Sequence, residues 1–132
     1  MWSVTFDCAS PAAMARFWGP ALGYVTPPPP DGFESWEAWA RHHGVPDDEL
    51  DDGAYLADPD GVLPSLSFLR VPEGKVVKNR LHLDLRPDDR DAEVARLESL
   101  GAHRVDIGQG EDVTWVVLAD PEGNELCVLR AT

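Results

Sequence analysis

The pattern of hydrophobic and polar positions near the start of the chain predicts a strand followed by a helix. Residues 4–8 alternate apolar and polar side chains, which is typical of a half-buried strand. Ser10 and Pro11 then supply a helix N-cap and a proline at the first helical position. Apolar residues recur at helical spacing over 14–22, and Gly23 fits the position that ends a helix.

The same order of elements recurs in the second half of the chain. Three leucines alternate with polar residues over 81–85, which predicts another half-buried strand. Asp88 or Asp89 can cap the helix that follows, and Gly101 ends it as Gly23 ends the first helix. We expect the three leucines to pack on the inner face of this helix, which consists of Val94, Leu97 and Leu100.

Each helix is followed by three short strand candidates, so the chain repeats one strand-helix-strand-strand-strand unit. The candidates are 24–26, 54–57 and 66–71 in the first half, and 103–107, 113–119 and 125–130 in the second. Matching turns, Asp-Pro-Asp-Gly at 58–61 and Asp-Pro-Glu-Gly at 120–123, precede the last strand of each half. This mixture without regular alternation predicts an α+β fold. We expect one domain over residues 1–132, with module one at 1–74 and module two at 75–132.

One segment, residues 27–53, has no counterpart in the second half and is predicted to be an insertion in module one. It opens with four prolines, and Ser35 then caps a short helix that carries Trp36 and Trp39 and ends at the next glycine. Such an insertion can close over a ligand site or pack over an exposed sheet edge, and both interpretations stay open. Its acidic run at 47–52 predicts a solvated loop, since it lacks the ligand spacing of a calcium-binding loop.

Composition and charge exclude several classes of partner. Hydrophobic residues make up 43% and charged residues 27% of the 132, which is typical of a globular protein and not of a disordered one. The 24 Asp and Glu outnumber the 11 Lys and Arg, giving a formal charge of −13. Such a surface repels nucleic-acid phosphates and anionic membranes. We therefore expect neither a nucleic acid nor a membrane as partner.

The sequence also predicts a cytoplasmic location. No apolar stretch approaches the ~20 residues of a membrane span, and the N-terminal sequence lacks the regions of a signal peptide. Cys8 and Cys127 lie in apolar runs, where reduced and buried thiols are common. The sequence contains no phosphate-binding glycine motif and no serine-histidine-aspartate pattern. It therefore does not support a function as a kinase, a dinucleotide-binding enzyme or a hydrolase.

Two motifs resemble a known family. Lys-Asn-Arg-Leu-His-Leu-Asp at 78–84 and Asp-Pro-Glu-Gly-Asn-Glu at 120–125, with the duplicated unit and its Leu-Gly helix ends, resemble the vicinal oxygen chelate superfamily. The closer resemblance is to its glyoxalase-like, bleomycin-resistance-like branch. It implies two tandem βαβββ modules that form an open, cup-shaped mixed sheet with the ligand in the cup. It also implies a homodimer, which would cover exposed sheet edges, and a divalent metal held by His and Glu residues of the first and last strands.

Most ligand positions of that family carry other residues here. His82 falls on the first-strand position of module two, and Thr5 is its counterpart in module one. Cys127 stands at the last-strand position of module two, where a glutamate is expected, and 65–68 holds no carboxylate. One imidazole and one thiol are too few, because a stable site needs about three protein ligands or more. We therefore expect no metal. The alternative is a divalent ion at His82 and either Cys127 or Glu125; zinc at His82 and Cys127 would need Asp84 or Glu125 as a further ligand.

The predicted function is that of a metal-free protein that binds a small organic ligand. The expected lining of the cup is Thr5, Phe68, His82, Asp84 and Trp115. The alternative is a lyase, isomerase or dioxygenase of the same superfamily, using a degenerate metal site or His82 as general acid and base. His82 is the best catalytic candidate, and a purely structural, hydrogen-bonded histidine stays equally open.

Overall fold

The computed structural model of the chain describes residues 2–131. These residues divide into two compact units, with the boundary between Glu73 and Gly74. The sequence predicts the module boundary one residue later, after residue 74. That the two units act as one domain over 1–132 stays a prediction.

The N-terminal unit is a three-stranded mixed sheet with two helices. Its elements in chain order are β1 (Ser3–Cys8), α1 (Pro11–Leu22), α2 (Trp36–His42), a 3-10 turn (Asp47–Glu49), β2 (Gly53–Leu56) and β3 (Ser65–Arg70). The strand order is β1-β3-β2, with β1 parallel and β2 antiparallel to β3. An isolated antiparallel bridge joins Val25 to Ala57, immediately beyond the end of β2.

Helix α1 has the start and the end that its sequence predicts. The Ser10 hydroxyl accepts a hydrogen bond from the Ala13 amide at 3.4 Å, which satisfies one of the amides that a helix start leaves unpaired. Gly23 ends the helix with a φ of 71°, a conformation that costs glycine little because it has no Cβ.

The core of the N-terminal unit lies between α1 and one face of the sheet. The Phe6 ring on β1 lies 5.4 Å from the Trp18 ring on α1 and 5.3 Å from the Phe68 ring on β3, measured between centroids. Phe68 and Met14 are completely buried, and Trp18 nearly so. Aromatic contacts of this kind bury large apolar areas, so the side of the sheet that carries Phe6 and Phe68 is the helix side.

The C-terminal unit is a four-stranded mixed sheet with one helix. Its elements are β4 (Leu83–Leu85), α3 (Arg90–Leu100), β5 (His103–Arg104), β6 (Val116–Ala119) and β7 (Glu125–Val128). The strand order is β4-β7-β6-β5, with β4 parallel to β7 and the other neighbours antiparallel. Among residues 2–131, no helix is long and apolar enough to cross a membrane.

Both units repeat one topology. In each, the first strand pairs in parallel with the last strand, and the strand before the last pairs with the last in antiparallel fashion. The bridge from Val25 to Ala57 occupies the place that the β5–β6 pair holds in the C-terminal unit. The predicted α+β class is therefore confirmed, as two mixed, open sheets; in residues 2–131 neither sheet closes into a barrel.

Helix α3 and the following turn use aspartates as caps. The Asp89 carboxylate accepts hydrogen bonds from the Asp91 and Ala92 amides, both at 3.0 Å, so Asp89 and not Asp88 is the N-cap. Val94 and Leu97 are completely buried, as the helical periodicity predicts. The buried Asp120 carboxylate accepts from the Glu122 and Asn124 amides and from the Asn124 side chain, which fixes the turn before β7.

Several predicted elements are shorter in the structure. The candidate strand at 24–26 is only the bridge at Val25, and the candidate at 103–107 keeps only its first two residues. Strand β6 begins at Val116 instead of 113. The prediction for Leu81 is wrong: it precedes β4 and is 65% exposed, because pairing with β7 begins only at residue 83. Helix α2 ends at His42, before the glycine at 44.

Candidate functional site

A pocket of about 360 Å³ lies over one face of the C-terminal sheet. Its apolar lining residues are Ile107, Trp115, Val117 and Leu129, and its polar ones are Lys78, His82, Asp84, Glu125 and Cys127. Ligand pockets of proteins typically have mostly apolar walls with a few convergent polar groups. We call this feature the C-terminal pocket.

Strand pairing explains why these side chains meet. Asp84 on β4 lies opposite Cys127 on β7, and Cys127 lies opposite Val117 on β6. Residues opposite each other in neighbouring strands share a face of the sheet, which places all three on the pocket side. His82 immediately precedes β4, and its Nε2 lies 3.3 Å from Asp84 Oδ1, so its ring is beside these side chains.

His82, Asp84 and Cys127 form a compact donor cluster. One ligand atom from each, a ring nitrogen, a carboxylate oxygen and Sγ, lie within 4.8 Å of one another. From the sequence, either Asp84 or Glu125 could join His82 and Cys127 as a further ligand. The pairing of β4 with β7 places Asp84 opposite Cys127, and Asp84 is the third member of the cluster.

The pKa of the Cys127 thiol is raised above its ordinary value. Cys127 is only 8% exposed, and burial is the main cause that raises its pKa. The negative charge of Asp84 and a hydrogen bond to the Asp84 carboxylate raise the pKa further, whereas Lys78 lowers it by less. Because the thiolate is the nucleophilic form of cysteine, Cys127 is suited to donate a hydrogen bond to Asp84 and is not activated for attack.

Glu125 lines the same pocket, but its carboxylate is bound to Lys75 and Asn79 and is not part of the donor cluster. Its carboxylate lies 3.2 Å from Lys75 Nζ and accepts a hydrogen bond from the Asn79 amide at 3.0 Å. Burial alone would raise the pKa of Glu125, but the hydrogen bonds from the Asn79 amide and from Lys75 outweigh it and lower the pKa. Glu125 thus ties residues 75–79 to β7, and the donor cluster contains Asp84 instead of the predicted alternative Glu125.

The donor cluster fits one kind of metal ion better than others. Zinc accepts the combination of imidazole, carboxylate and thiolate, often with a fourth position left open. Magnesium and manganese prefer sets of oxygen ligands, and a thiolate is a poor match for them. The chemistry of His82, Asp84 and Cys127 is therefore compatible with zinc, at the cost of removing the proton from Cys127.

The other two predicted site residues lie in the N-terminal unit, on opposite faces of its sheet. Phe68 is completely buried on the helix side. Thr5 is the neighbour of Phe6 along β1 and pairs with Ser67, so its side chain lies on the other face, where it is exposed. Phe68 is therefore a core residue, and it does not share a surface with Thr5. Trp115, by contrast, lies with His82 and Asp84 in the C-terminal pocket.

A family model described as a glyoxalase-like domain matches residues 3–129. The chain belongs to the glyoxalase-like domain family. No curated protein sequence is significantly similar to this glyoxalase-like chain.

Solved structures share the fold of this glyoxalase-like protein over almost its whole length. A glyoxalase/bleomycin resistance protein/dioxygenase family enzyme from Burkholderia phytofirmans PsJN has a TM-score of 0.62 at 16% identity, covering 98% of this chain and 97% of that one. A possible glyoxalase from Bacillus cereus has 0.60 at 14%, covering 98% and 96%. The fosfomycin resistance protein FosX from Listeria monocytogenes has 0.63 at 9%, covering 100% and 91%. The predicted resemblance to the glyoxalase-like family is confirmed by the family model, and these structures share its fold.

The glyoxalase-like N-terminal unit has a cavity of its own. It is a groove of about 590 Å³ between the insertion and β2. Trp36 and Trp39 of α2 and Tyr55 of β2 line it, so both tryptophans of the insertion lie at this groove. The interpretation of the insertion as a lid stays a prediction.

Proposed function

We propose that this glyoxalase-like protein binds a small, mainly apolar organic ligand in the C-terminal pocket, without a metal. The observation that supports the proposal is the composition of the pocket: large apolar side chains line it together with a few polar groups, among them the donor cluster. A ligand with a single polar group, such as a carbonyl or hydroxyl, would bury its apolar part against Trp115 and Val117. Its polar group would then meet His82 and Asp84.

The pair formed by His82 and Asp84 would orient the ligand. The Nε2 of His82 faces the Asp84 carboxylate at 3.3 Å, an arrangement that favours a proton on Nε2 and leaves Nδ1 as a hydrogen-bond acceptor. The Cys127 thiol donates a hydrogen bond to the Asp84 carboxylate, and this contact supports the position of the carboxylate. The ligand would therefore be recognised by fixed polar groups in a largely apolar setting.

A second candidate function, a metal-dependent lyase, isomerase or dioxygenase, is favoured by the donor cluster alone. His82, Asp84 and Cys127 would hold a zinc ion, and the ion would supply Lewis-acid polarisation of a substrate carbonyl or of bound water. We prefer the metal-free function because the apolar side chains of Ile107, Trp115 and Val117 fit an organic ligand, and because Cys127 stands where the family resemblance implies a glutamate ligand.

Elemental analysis of protein purified without chelators separates the two functions. The metal-free proposal predicts no stoichiometric zinc, iron, nickel or manganese in the wild type. One equivalent of zinc that is lost in both His82→Ala and Cys127→Ser would overturn it. His103→Ala is a matched control, since His103 is exposed on β5 and does not line the pocket.

Ligand binding is tested by thermal shift with a panel of small aromatic and carbonyl compounds. A ligand at a hundredfold excess over its Kd stabilises the native state by about 2.7 kcal/mol, which such an assay detects. We expect hits whose stabilisation is reduced in His82→Ala and in Trp115→Ala but kept in His103→Ala. Hits that are unaffected by both pocket variants would contradict binding at this site.

We further propose a homodimer, and a cytoplasmic location. Large apolar side chains that are exposed in the chain support association: Val62, Leu63, Val76, Val77 and Leu81. Cys8 and Cys127 are buried and form no disulfide bond, which is compatible with a reducing compartment. The homodimer is tested by light scattering, which is expected to give twice the chain mass of 14.5 kDa. The location is tested by cell fractionation, which is expected to recover the protein with cytosolic markers.

A further inference from the structure

The groove of the N-terminal unit has an aromatic wall that neither its fold nor the C-terminal pocket requires. The ring centroid of Trp36 lies 5.7 Å from that of Trp39 and 6.1 Å from that of Tyr55. The indole N–H of Trp36 donates to the Pro27 carbonyl at 2.7 Å, which fixes this ring at the centre of the wall. None of the three rings is fully buried, and Tyr55 is 45% exposed. We call this feature the aromatic groove.

The rim of the aromatic groove is strongly acidic. Four carboxylates line it, namely those of Glu37, Asp47, Glu49 and Asp51, against a single cation, Arg41. The Arg41 guanidinium is already paired, with Glu37 at 2.6 Å and with Asp47 at 2.9 Å. Within residues 2–131, no ion pair involves Glu49 or Asp51. The groove therefore has an excess of negative charge beside a π-rich wall.

We propose that the aromatic groove binds an organic cation, of the quaternary ammonium or alkylated amine class. Aromatic faces attract such cations through their ring quadrupole, and tryptophan does so most strongly. Carboxylates at the rim, on a chain of formal charge −13, concentrate cations and repel anions. An alkylated ammonium matches both features because it carries charge and apolar surface on the same group.

The site is independent of the proposed function of the C-terminal pocket. Every residue of the aromatic groove belongs to the N-terminal unit, and none lines the C-terminal pocket. A failure to bind ligand at one of the two sites therefore does not affect the test of the other site. An anionic ligand is disfavoured, since the one cation at the rim is neutralised by two carboxylates.

The test compares choline with 3,3-dimethylbutan-1-ol, its neutral isostere in which carbon replaces the nitrogen. The readout is the NMR signal of each indole N–H of the full-length, ¹⁵N-labelled protein, which has five tryptophans. Choline is expected to shift the signals of Trp36 and Trp39 and to leave those of Trp2 and Trp115 in place. Its affinity is expected to exceed that of the isostere by about tenfold, the size of one or two cation–π contacts.

Charge variants give the second arm of the test. Glu49→Gln with Asp51→Asn removes the two unpaired rim charges, and Glu111→Gln with Asp112→Asn makes the same change in the C-terminal unit as a matched control. Choline binding is expected to weaken about threefold or more in the rim variant, and less in the control. All four residues are exposed, so the changes leave the core intact.

Ring variants give the third arm. Tyr55→Leu is expected to weaken choline binding, whereas Tyr55→Phe keeps the ring and most of the affinity. The proposal is overturned if the neutral isostere binds as tightly as choline, if the shifts appear at Trp115 instead of Trp36 and Trp39, or if rim and control variants behave alike.

Discussion

Thr5 and Phe68 belong to neighbouring strands of the N-terminal sheet, yet their side chains lie on its opposite faces. Phe68 stacks on Phe6 beneath α1 and is completely buried, whereas Thr5 is exposed. Alternation along a strand fixes which residues share a face, but it does not say which face a helix covers. At the residue scale, this choice decides whether an aromatic side chain holds the core together or contacts a ligand.

Phe68→Ala is therefore expected to lower the free energy of unfolding by about 3–5 kcal/mol, the usual cost of deleting a fully buried ring. Thr5→Ala should change stability by less than about 0.5 kcal/mol, since an exposed side chain loses little. Urea denaturation followed by tryptophan fluorescence measures both. A Phe68→Ala protein of wild-type stability would contradict the assignment of Phe68 to the core.

The protonation of Cys127 also depends on one neighbouring residue. Asp84 raises the pKa of the Cys127 thiol through its charge and its hydrogen bond, in addition to the larger effect of burial. Asp84→Asn removes the charge, which lowers the pKa and increases the thiolate fraction at pH 8. Alkylation of Cys127 by iodoacetamide should then be about two- to fivefold faster, because the thiolate is the reactive form.

Mass spectrometry of the peptide that contains Cys127 measures this rate separately from that of Cys8. Asp88→Asn is the control, since Asp88 is exposed and outside the donor cluster. A slower reaction in Asp84→Asn than in the control would show that Asp84 activates the thiol, against the direction of the pKa shift.

At the scale of elements, the two long helices could be predicted closely from the sequence and the short strands could not. The sequence of a helix such as α1 contains the signals for its start, its apolar periodicity and its end, from the N-cap Ser10 to the C-cap Gly23. The ends of a strand depend on how far it pairs with the neighbouring strand. The alternation of apolar and polar residues within one segment does not reveal the extent of that pairing. This is why Leu81 alternates correctly but lies outside β4.

The segment that follows the unit boundary is held to β7 by Glu125. The carboxylate bonds to Lys75 and to the Asn79 amide, and these contacts lower the pKa of Glu125 in the folded state. A lowered folded-state pKa means that the stabilisation is present above the unfolded-state pKa and is lost as the pH falls through the folded-state value.

Glu125→Gln is accordingly expected to lower the free energy of unfolding by about 1 kcal/mol at pH 7, a modest value because water partly screens the ion pair. The difference from wild type should shrink as the pH falls below the ordinary range of glutamate, since the wild-type carboxyl is then protonated too. Thermal unfolding at several pH values measures it, with Glu111→Gln as the exposed control. A difference that grows toward low pH would have the wrong sign for this mechanism.

At the scale of the whole molecule, the structure preserves a duplicated topology with little sequence in common with its structural neighbours. Identities of 9–16% accompany TM-scores of 0.60–0.63 over almost the whole chain. The parallel pairing of first and last strand recurs in both units. Such a fold hosts different sites on one scaffold, so function here has to be argued from the C-terminal pocket and the aromatic groove and not from the fold.

The net charge of the chain opposes the formation of a dimer at low salt concentration. Each chain carries a formal charge of −13, so two chains repel each other at low ionic strength. Raising the salt concentration from about 0.01 M to about 1 M shortens the screening length from about 30 Å to about 3 Å, which removes most of this repulsion. Apolar contacts, by contrast, are not weakened by sodium chloride to a comparable extent.

The proposed homodimer is therefore expected to strengthen with salt. Light scattering at micromolar protein should move from the chain mass of 14.5 kDa toward twice that value as sodium chloride is added. Sucrose is the control, because it does not screen charge. Val76→Ser with Val77→Ser removes two of the most exposed apolar side chains and tests whether they contribute to the interface. A mass of 14.5 kDa at every salt concentration would rule out the dimer, and a mass that falls with salt would show that charge pairs and not apolar contacts hold it together.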